Sequence, residues 1–524
     1  MKKDLDQLVR AYQSPESQED APVSEEGVIV VDALVSKAAS VYEIFRNALE
    51  YAESHLLRRN AIRRILRRHW TGEEDVTNVA QTLLHELIWA GYLPNKSVPL
   101  SRHDDVRRVL EKYQVLMTAA ETYQETYGEL ADWILDLTST EIEALLEMSH
   151  KEEALVSFAY GRLKQKVEWA DDIDLPEEER DMQLFLTTHR ALLRSNPATL
   201  RYRAFLLFYP DWKSHHPDRV KEVAAHLQVV YEAVEYHVTH PKGEMLYRLL
   251  RKKIILFKLI HDLLAEDAGR GQVLTLGAGL DEEISRAAHE RYKAFRSRLG
   301  RSVLRAVVFL FCTKLILAFI IELPYEAFVL AETNYTPLIV NVLFHPLLLA
   351  LLGFTVTVPA KRNTRALIDG VRSVLTDGEA LKMRVRNKAS WSSGVRGLVF
   401  NLLYTLTFVI SYGLITWLLV GLGFNIVSIF LFLLFFSLVV FFGLSLRYTK
   451  RELVIVSGQG NVLTAIADFF FLPIIRAGRW ISLRAPRINI FLFFLDFIIE
   501  APFKMAIQII EGWLAFMREK KEEI

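Results

Sequence analysis

GLVFNLLYTLTFVISYGLITWLLVGLGFNIVSIFLFLLFFSLVVFFGLSL, Gly397–Leu446, is the stretch that decides the fold class. Its 50 residues include no Asp, Glu, Lys, Arg or His. A helix crossing about 30 Å of hydrocarbon needs about 20 apolar residues. The stretch therefore holds two spans, about 398–420 and 426–446, joined by the turn Gly421-Leu422-Gly423-Phe424-Asn425. Buried helices of a soluble protein rarely stay uncharged for so long. The expectation is a helical hairpin in a membrane.

Two more segments upstream meet the same length test, about 303–323 and 338–358. Four spans give a membrane domain over 303–446. Their flanks orient it, because Lys and Arg in short loops stay on the cytoplasmic side. The loop between the second and third spans, Lys361–Arg396, has nine basic and three acidic residues. The loop between the first and second, Glu322–Tyr335, has three Glu and no Lys or Arg. Arg296, Arg298, Arg301 and Arg305 precede the first span, and Arg447, Lys450 and Arg451 follow the fourth. All the basic flanks share one side. The expected location is the cytoplasmic membrane, multi-pass, with both termini and the loop 361–396 inside; an organelle membrane stays open.

The formal net charge of zero over 524 residues hides this partition. Residues 1–300 carry 40 Lys+Arg against 49 Asp+Glu, a net of −9, and residues 301–524 carry 23 against 14, a net of +9. A whole-chain average describes neither half. The lone Cys312 excludes an internal disulfide framework and a two-thiolate metal site.

The polar half is expected to be all-α, giving the chain an all-α fold class throughout. Residues 1–22 are polar and acidic and resemble a disordered tail. Residues 23–280 form the expected cytoplasmic helical domain, divisible into two subdomains near 171–176 (Asp171 to Pro176, DDIDLP). Helices are expected at about 31–56, 57–70, 73–90, 104–127, 129–149, 151–168, 176–195, 217–239 and 243–266. Thr71 with Glu74 and Thr138 with Glu141 have capping-box spacing and are taken as helix starts. From Asp281-Glu282-Glu283, acidic residues suited to a helix N-terminus, no proline intervenes until Pro324. One helix of about 40 residues, roughly 60 Å long, is expected to run through the connecting segment 281–302 into the first span.

Residues 447–524 are expected to form an amphipathic membrane-surface region. In INIFLFFLDFIIEAPFKMAIQIIEGWLAFMREK the polar positions keep to one arc of a helix. Just before it, Arg476, Arg479, Arg484 and Arg487 alternate with apolar residues including Trp480, a composition that suits anionic lipid headgroups.

Four side chains carry the candidate membrane chemistry. Lys314 lies about 11 residues into the first span and His345 near the middle of the second, and an ionisable group at that depth is expensive. Asn401 and Tyr404 of the third span are candidates to join them. The plainer account is that Lys314 hydrogen-bonds inside the bundle and His345 marks a kink before Pro346. No acidic partner stands at that depth on the sequence reading, which weakens a transporter. Metal motifs fail. His85-Glu86 meets Trp89 where a zinc-protease helix needs its second His. Glu147-x-x-His150 lacks a second copy, His103-Asp104 and the His237/His240 pair read as helix-end residues, and Gly277-Ala278-Gly279 lacks a dinucleotide fold. No metal site, catalytic site or cofactor is expected. The basic stripe Arg58-Arg59, Arg63-Arg64, Arg67-Arg68 is expected to meet a helix of the chain itself or of a partner; nucleic acid is not expected.

The leading functional expectation is a membrane-anchored scaffold or assembly protein recruiting protein partners through residues 23–280, with self-association open. The alternative is a transporter or channel whose pathway includes Lys314 and His345. An enzyme finds no supporting site.

Overall fold

Apolar residues spaced three and four apart recur along most of the chain, and the computed structural model winds them almost entirely into helices. It describes residues 2–13, 27–31, 54–70, 75–146, 150–266, 274, 279–330, 334–356, 360–376, 378–387, 394–449, 453–455 and 462–484. The chain is all-α. Among the described residues, four helices are long and apolar enough to cross a membrane. Two units divide it: one drawn from Met1–Leu276 and Leu381–Val385, the other from Gly277–Ala380 and Arg386–Ile490.

The first unit comprises α1 (Lys2–Gln13), α2 (Ser54–His69), α3 (Val76–Trp89), α4 (Ser101–Ala120), α5 (Tyr127–Leu146) and α6 (His150–Lys164). These are followed by β1 (Val167–Trp169), α7 (Glu177–Leu193), α8 (Pro197–Phe208), α9 (Pro217–Ala225), α10 (Leu227–Thr239), α11 (Pro241–Leu250) and α12 (Ile254–Glu266). Helix α5 lies at the centre, packed on α2, α4 and α8. Leu130, Trp133, Ile134, Leu137 and Ile142 are buried there. Each such side chain removed from water contributes about 1.5–3 kcal/mol of transfer free energy. Trp133 meets Phe205 edge-on, and Phe205 meets Trp212 the same way at 4.8 Å between centroids.

Several charges in this unit are paired internally. Asp136 of α5 accepts from Arg63 at 2.7 Å, Arg201 at 2.6 Å and Arg59 at 3.3 Å. Arg58 reaches Glu143 at 2.8 Å, Arg67 pairs with Asp132, and Arg68 with Glu86. The basic stripe of α2 therefore makes internal contacts, Arg58, Arg59, Arg63 and Arg67 with the acidic face of α5 and Arg68 with α3. Lys112 is buried between Glu141 and the Trp212 ring, and burial pushes its ammonium below the ordinary lysine range against the pull of Glu141.

Several expectations need correction. Residues 2–13 are a helix, not a tail: Leu5, Leu8, Val9 and Tyr12 form one buried stripe against α6, which the polar composition around them conceals. Thr138 starts no helix. Its hydroxyl donates to the Ile134 carbonyl four residues back at 2.7 Å, and Glu141 bonds Tyr113, so α5 runs straight through both. The stretch 217–239 divides at His226, and α8 was not expected at all. Thr71 and most of the expected helix 31–56 lie outside the described residues. A short parallel pair also forms: β1 takes β2 (Met383–Val385), with Val167 opposite Met383 and Trp169 opposite Val385. The chain thus comes back to the first unit from the basic loop.

In the second unit α13 (Leu280–Leu317) is the long helix, unbroken for 38 residues. It continues through a π-turn (Ala318–Glu322), one α-turn (Leu323–Tyr325) and a second π-turn (Glu326–Leu330). Then come α14 (Tyr335–Phe354), α15 (Ala360–Leu375), α16 (Gly394–Gly421), α17 (Ile426–Thr449) and α18 (Val462–Arg484). Helix α14 packs between α13 and α17. Val303 fills the space beside Gly353, and Leu352 that beside Gly443. Amphipathic α15 buries Leu367, Val371 and Val374 and packs on α13, while its Asn363 donates to the Tyr292 hydroxyl at 2.7 Å and the Leu453 carbonyl at 2.8 Å.

Candidate functional site

The polar cluster of the second unit begins with a helix that departs from α geometry. Lys314 and Glu322 are eight residues apart, and about 100° per residue would leave them roughly 80° apart around an ideal helix. The π-turn at Ala318–Glu322 inserts an extra residue in the turn and takes that rotation back. Pro324, which has no N–H to give the turn before it, sits just beyond. Glu322 is thereby carried onto the face of Lys314, toward α14 and α17.

Asn341 of α14 joins them. Lys314 Nζ donates to Asn341 Oδ1 at 2.7 Å, and Asn341 Nδ2 donates to Glu322 Oε1 at 2.7 Å. The second carboxylate oxygen of Glu322 accepts from Ser428 Oγ at 3.2 Å. Ser428 N donates to Asn425 Oδ1 at 2.9 Å, and Asn425 Nδ2 to Glu326 Oε1 at 2.9 Å. Glu326 Oε2 then accepts from the backbone N–H of Asn334 at 3.1 Å. A continuous chain of polar groups thus runs from Lys314 to the start of α14. Lys314, Asn341 and Ser428 are completely buried, with Glu322 and Glu326 nearly so. Lys314 Nζ also stands 4.3 Å from the centroid of Phe435. A lone ion would be costly in such surroundings; here both signs are present and hydrogen-bonded.

His345 lies one turn beyond Asn341 on the same face of α14, also completely buried. Its Nδ1 is 3.0 Å from the Asn341 carbonyl oxygen and its Nε2 3.0 Å from that of Phe432. Phe432 packs edge-on against the ring at 4.6 Å, with Phe344 and Phe435 around it.

The structure brings Lys314 and His345 into one cluster through Asn341, and leaves Asn401 and Tyr404 out of it. Asn401 is exposed on α16, and Tyr404 lies under Arg476 of α18 at 4.8 Å from guanidinium to ring centroid. Arg476, Arg479, Trp480 and Arg484 are exposed, and Arg484 approaches the Trp480 ring at 5.9 Å. Helix α18 packs along α16 and α17, and its Gly478 lies against the Ser437 carbonyl. Arg487 and the amphipathic stretch after it lie outside the described residues.

The expectation that Lys314 has no acidic partner is overturned by Glu322. Hydropathy alone assigns Glu322 and Glu326 to the loop Glu322–Tyr335, because a charged side chain is ordinarily kept in water. The usable signal was their spacing: Glu322/Glu326 and Asn341/His345 are both i, i+4 pairs and so each pair shares a helix face. Among the described residues no three His, Cys, Asp or Glu side chains gather where they could hold a metal. No protein-family model, no curated protein and no solved structure matches this chain.

Proposed function

We propose that the chain is a multi-pass membrane protein that holds its first unit in the cytoplasm as a platform for protein partners. The observation that carries this reading is α13. Its first twenty or so residues bear Asp281, Glu283, Arg286, Arg291, Arg296 and Arg298, and the remainder is apolar, so one helix suits water at its start and hydrocarbon at its end. The basic flanks orient the four spans with both termini and the loop 361–396 in the cytoplasm. Arg476, Arg479, Trp480 and Arg484 are suited to anionic headgroups of that leaflet. In a Cys312→Ser background, Tyr335→Cys is expected to react with an impermeant maleimide on intact cells, and Thr376→Cys only after lysis. The reverse pattern overturns the orientation. Full-length protein in mild detergent is expected to retain partners that a chain lacking residues 54–266 loses.

A second reading, a transporter or channel, is favoured by the polar chain from Lys314 through Asn341, Glu322 and Ser428 to Glu326. An anchor alone has no need of two buried carboxylates and a buried ammonium in one span. In liposomes, this reading expects an ion or proton flux that Glu322→Gln abolishes.

A further inference from the structure

We propose that His345 is a reversible proton-binding site inside the membrane half of the chain. Both of its ring nitrogens face carbonyl oxygens at 3.0 Å, Asn341 O from its own helix and Phe432 O from α17. A carbonyl oxygen can only accept. A neutral imidazole has one N–H and one bare nitrogen, so it donates to one carbonyl and turns a lone pair toward the other. The imidazolium donates to both. Taking up one proton on the bare nitrogen therefore forms an N–H···O bond and breaks none; releasing it reverses that step.

The Lys314 ammonium opposes a second cation at the ring, and Glu322, held to Lys314 through Asn341, offsets that charge. Helix α13 presents Lys314, which touches the same Asn341, and its π-turn presents Glu322. Helix α14 presents Asn341 and Phe344, and α17 presents Phe432, Phe435 and Ser428. Glu326 ends the chain at Asn425 and Asn334. The polar chain from Glu322 to Asn334 leads toward the α13–α14 connection. The proposal deepens the pathway reading and rests on it for its role, but its test does not depend on flux.

The test is magic-angle-spinning NMR of the full-length protein in lipid bilayers, with histidine ring nitrogens labelled, from pH 4 to 9. Phe344-His345 is the sequence's one Phe-His step, so labelling Phe carbonyl carbon and His nitrogen assigns this residue without a mutation. The expected result is reversible interconversion of His345 between neutral and doubly protonated rings, moved at least one pH unit lower by Glu322→Gln. A ring that keeps one unprotonated nitrogen over the whole range overturns the proposal, as does a transition that Glu322→Gln leaves in place. Wild-type liposomes under a potassium-valinomycin potential separate the two ideas. Absent proton flux with a titrating His345 removes the pathway reading and leaves the site.

Discussion

Lys314 and Glu322 are joined through a single side chain, with the Asn341 amide accepting from the ammonium and donating to the carboxylate at 2.7 Å each. Neither ion touches the other directly. Removing the bridge leaves two buried charges short of a partner, at a cost on the order of 3–5 kcal/mol. Asn341→Leu is therefore expected to lower the thermal midpoint strongly in detergent. Replacing all three residues by apolar side chains, Lys314→Met, Asn341→Leu and Glu322→Met together, is expected to recover much of that loss. A triple variant less stable than Asn341→Leu alone refutes the account.

The same residues mark where the sequence stopped being informative. The long apolar helices were legible because a charge-free run as long as Gly397–Leu446 suits two helices able to cross a membrane, and α13 because no proline interrupts the chain from Asp281 to Pro324. Glu322 was not, because its place depends on the π-turn Ala318–Glu322 that rotates it onto the face of Lys314. That register is set by α14 and α17 packing against it, a tertiary choice invisible to a hydropathy window. The Arg58–Arg68 stripe was legible as a surface that meets a helix of the chain itself or of a partner, but its central acceptor Asp136 was not, because spacing within one helix does not say which other helix packs on it. Thr138 and Glu141 met a capping pattern while buried mid-helix, since short motifs also occur by chance where packing has already decided the backbone.

Asp136 is the charge on which α2, α5 and α8 converge, taking hydrogen bonds from Arg59, Arg63 and Arg201. Its side chain is 9% exposed and that of Arg59 8%. Asp136→Ala leaves a buried guanidinium facing two others, and about 3 kcal/mol of destabilisation is expected. Arg67→Ala, whose pair with Asp132 is half exposed, is expected to cost less than about 1 kcal/mol. Denaturant unfolding followed by tryptophan fluorescence distinguishes them, and equal effects contradict this ranking.

Gly478 is where α18 comes against the backbone of α17. A Cβ there would stand 2.1 Å from the Ser437 carbonyl oxygen and 2.7 Å from the Phe441 Cβ. Close helix approach in a membrane depends on such small residues. Gly478→Ala is expected to separate the two helices and reduce the yield of folded protein. At Gly413 of α16 nothing lies within 4 Å of the added carbon, so Gly413→Ala is expected to be neutral or to stabilise by up to about 1 kcal/mol. Thermal midpoints of the two variants in one detergent test the contrast; a neutral Gly478→Ala rejects the packing.

Acid is expected to weaken the first unit. Burial, the largest cause in each case, holds His103, His215, His237 and His240 below the ordinary histidine value of 6.5. For these groups the unfolded chain takes up protons first as pH falls, so it binds more protons than the folded one. Stability is then fully present above pH 6.5 and is lost as pH falls through the lower folded values. The fluorescence-detected unfolding midpoint of the full-length protein should therefore drop between pH 7.5 and 5. His237→Gln, which keeps an uncharged polar group at the α10 end, should make that drop shallower. A midpoint that rises on acidification would mean that these rings are as readily protonated in the folded chain as in the unfolded one.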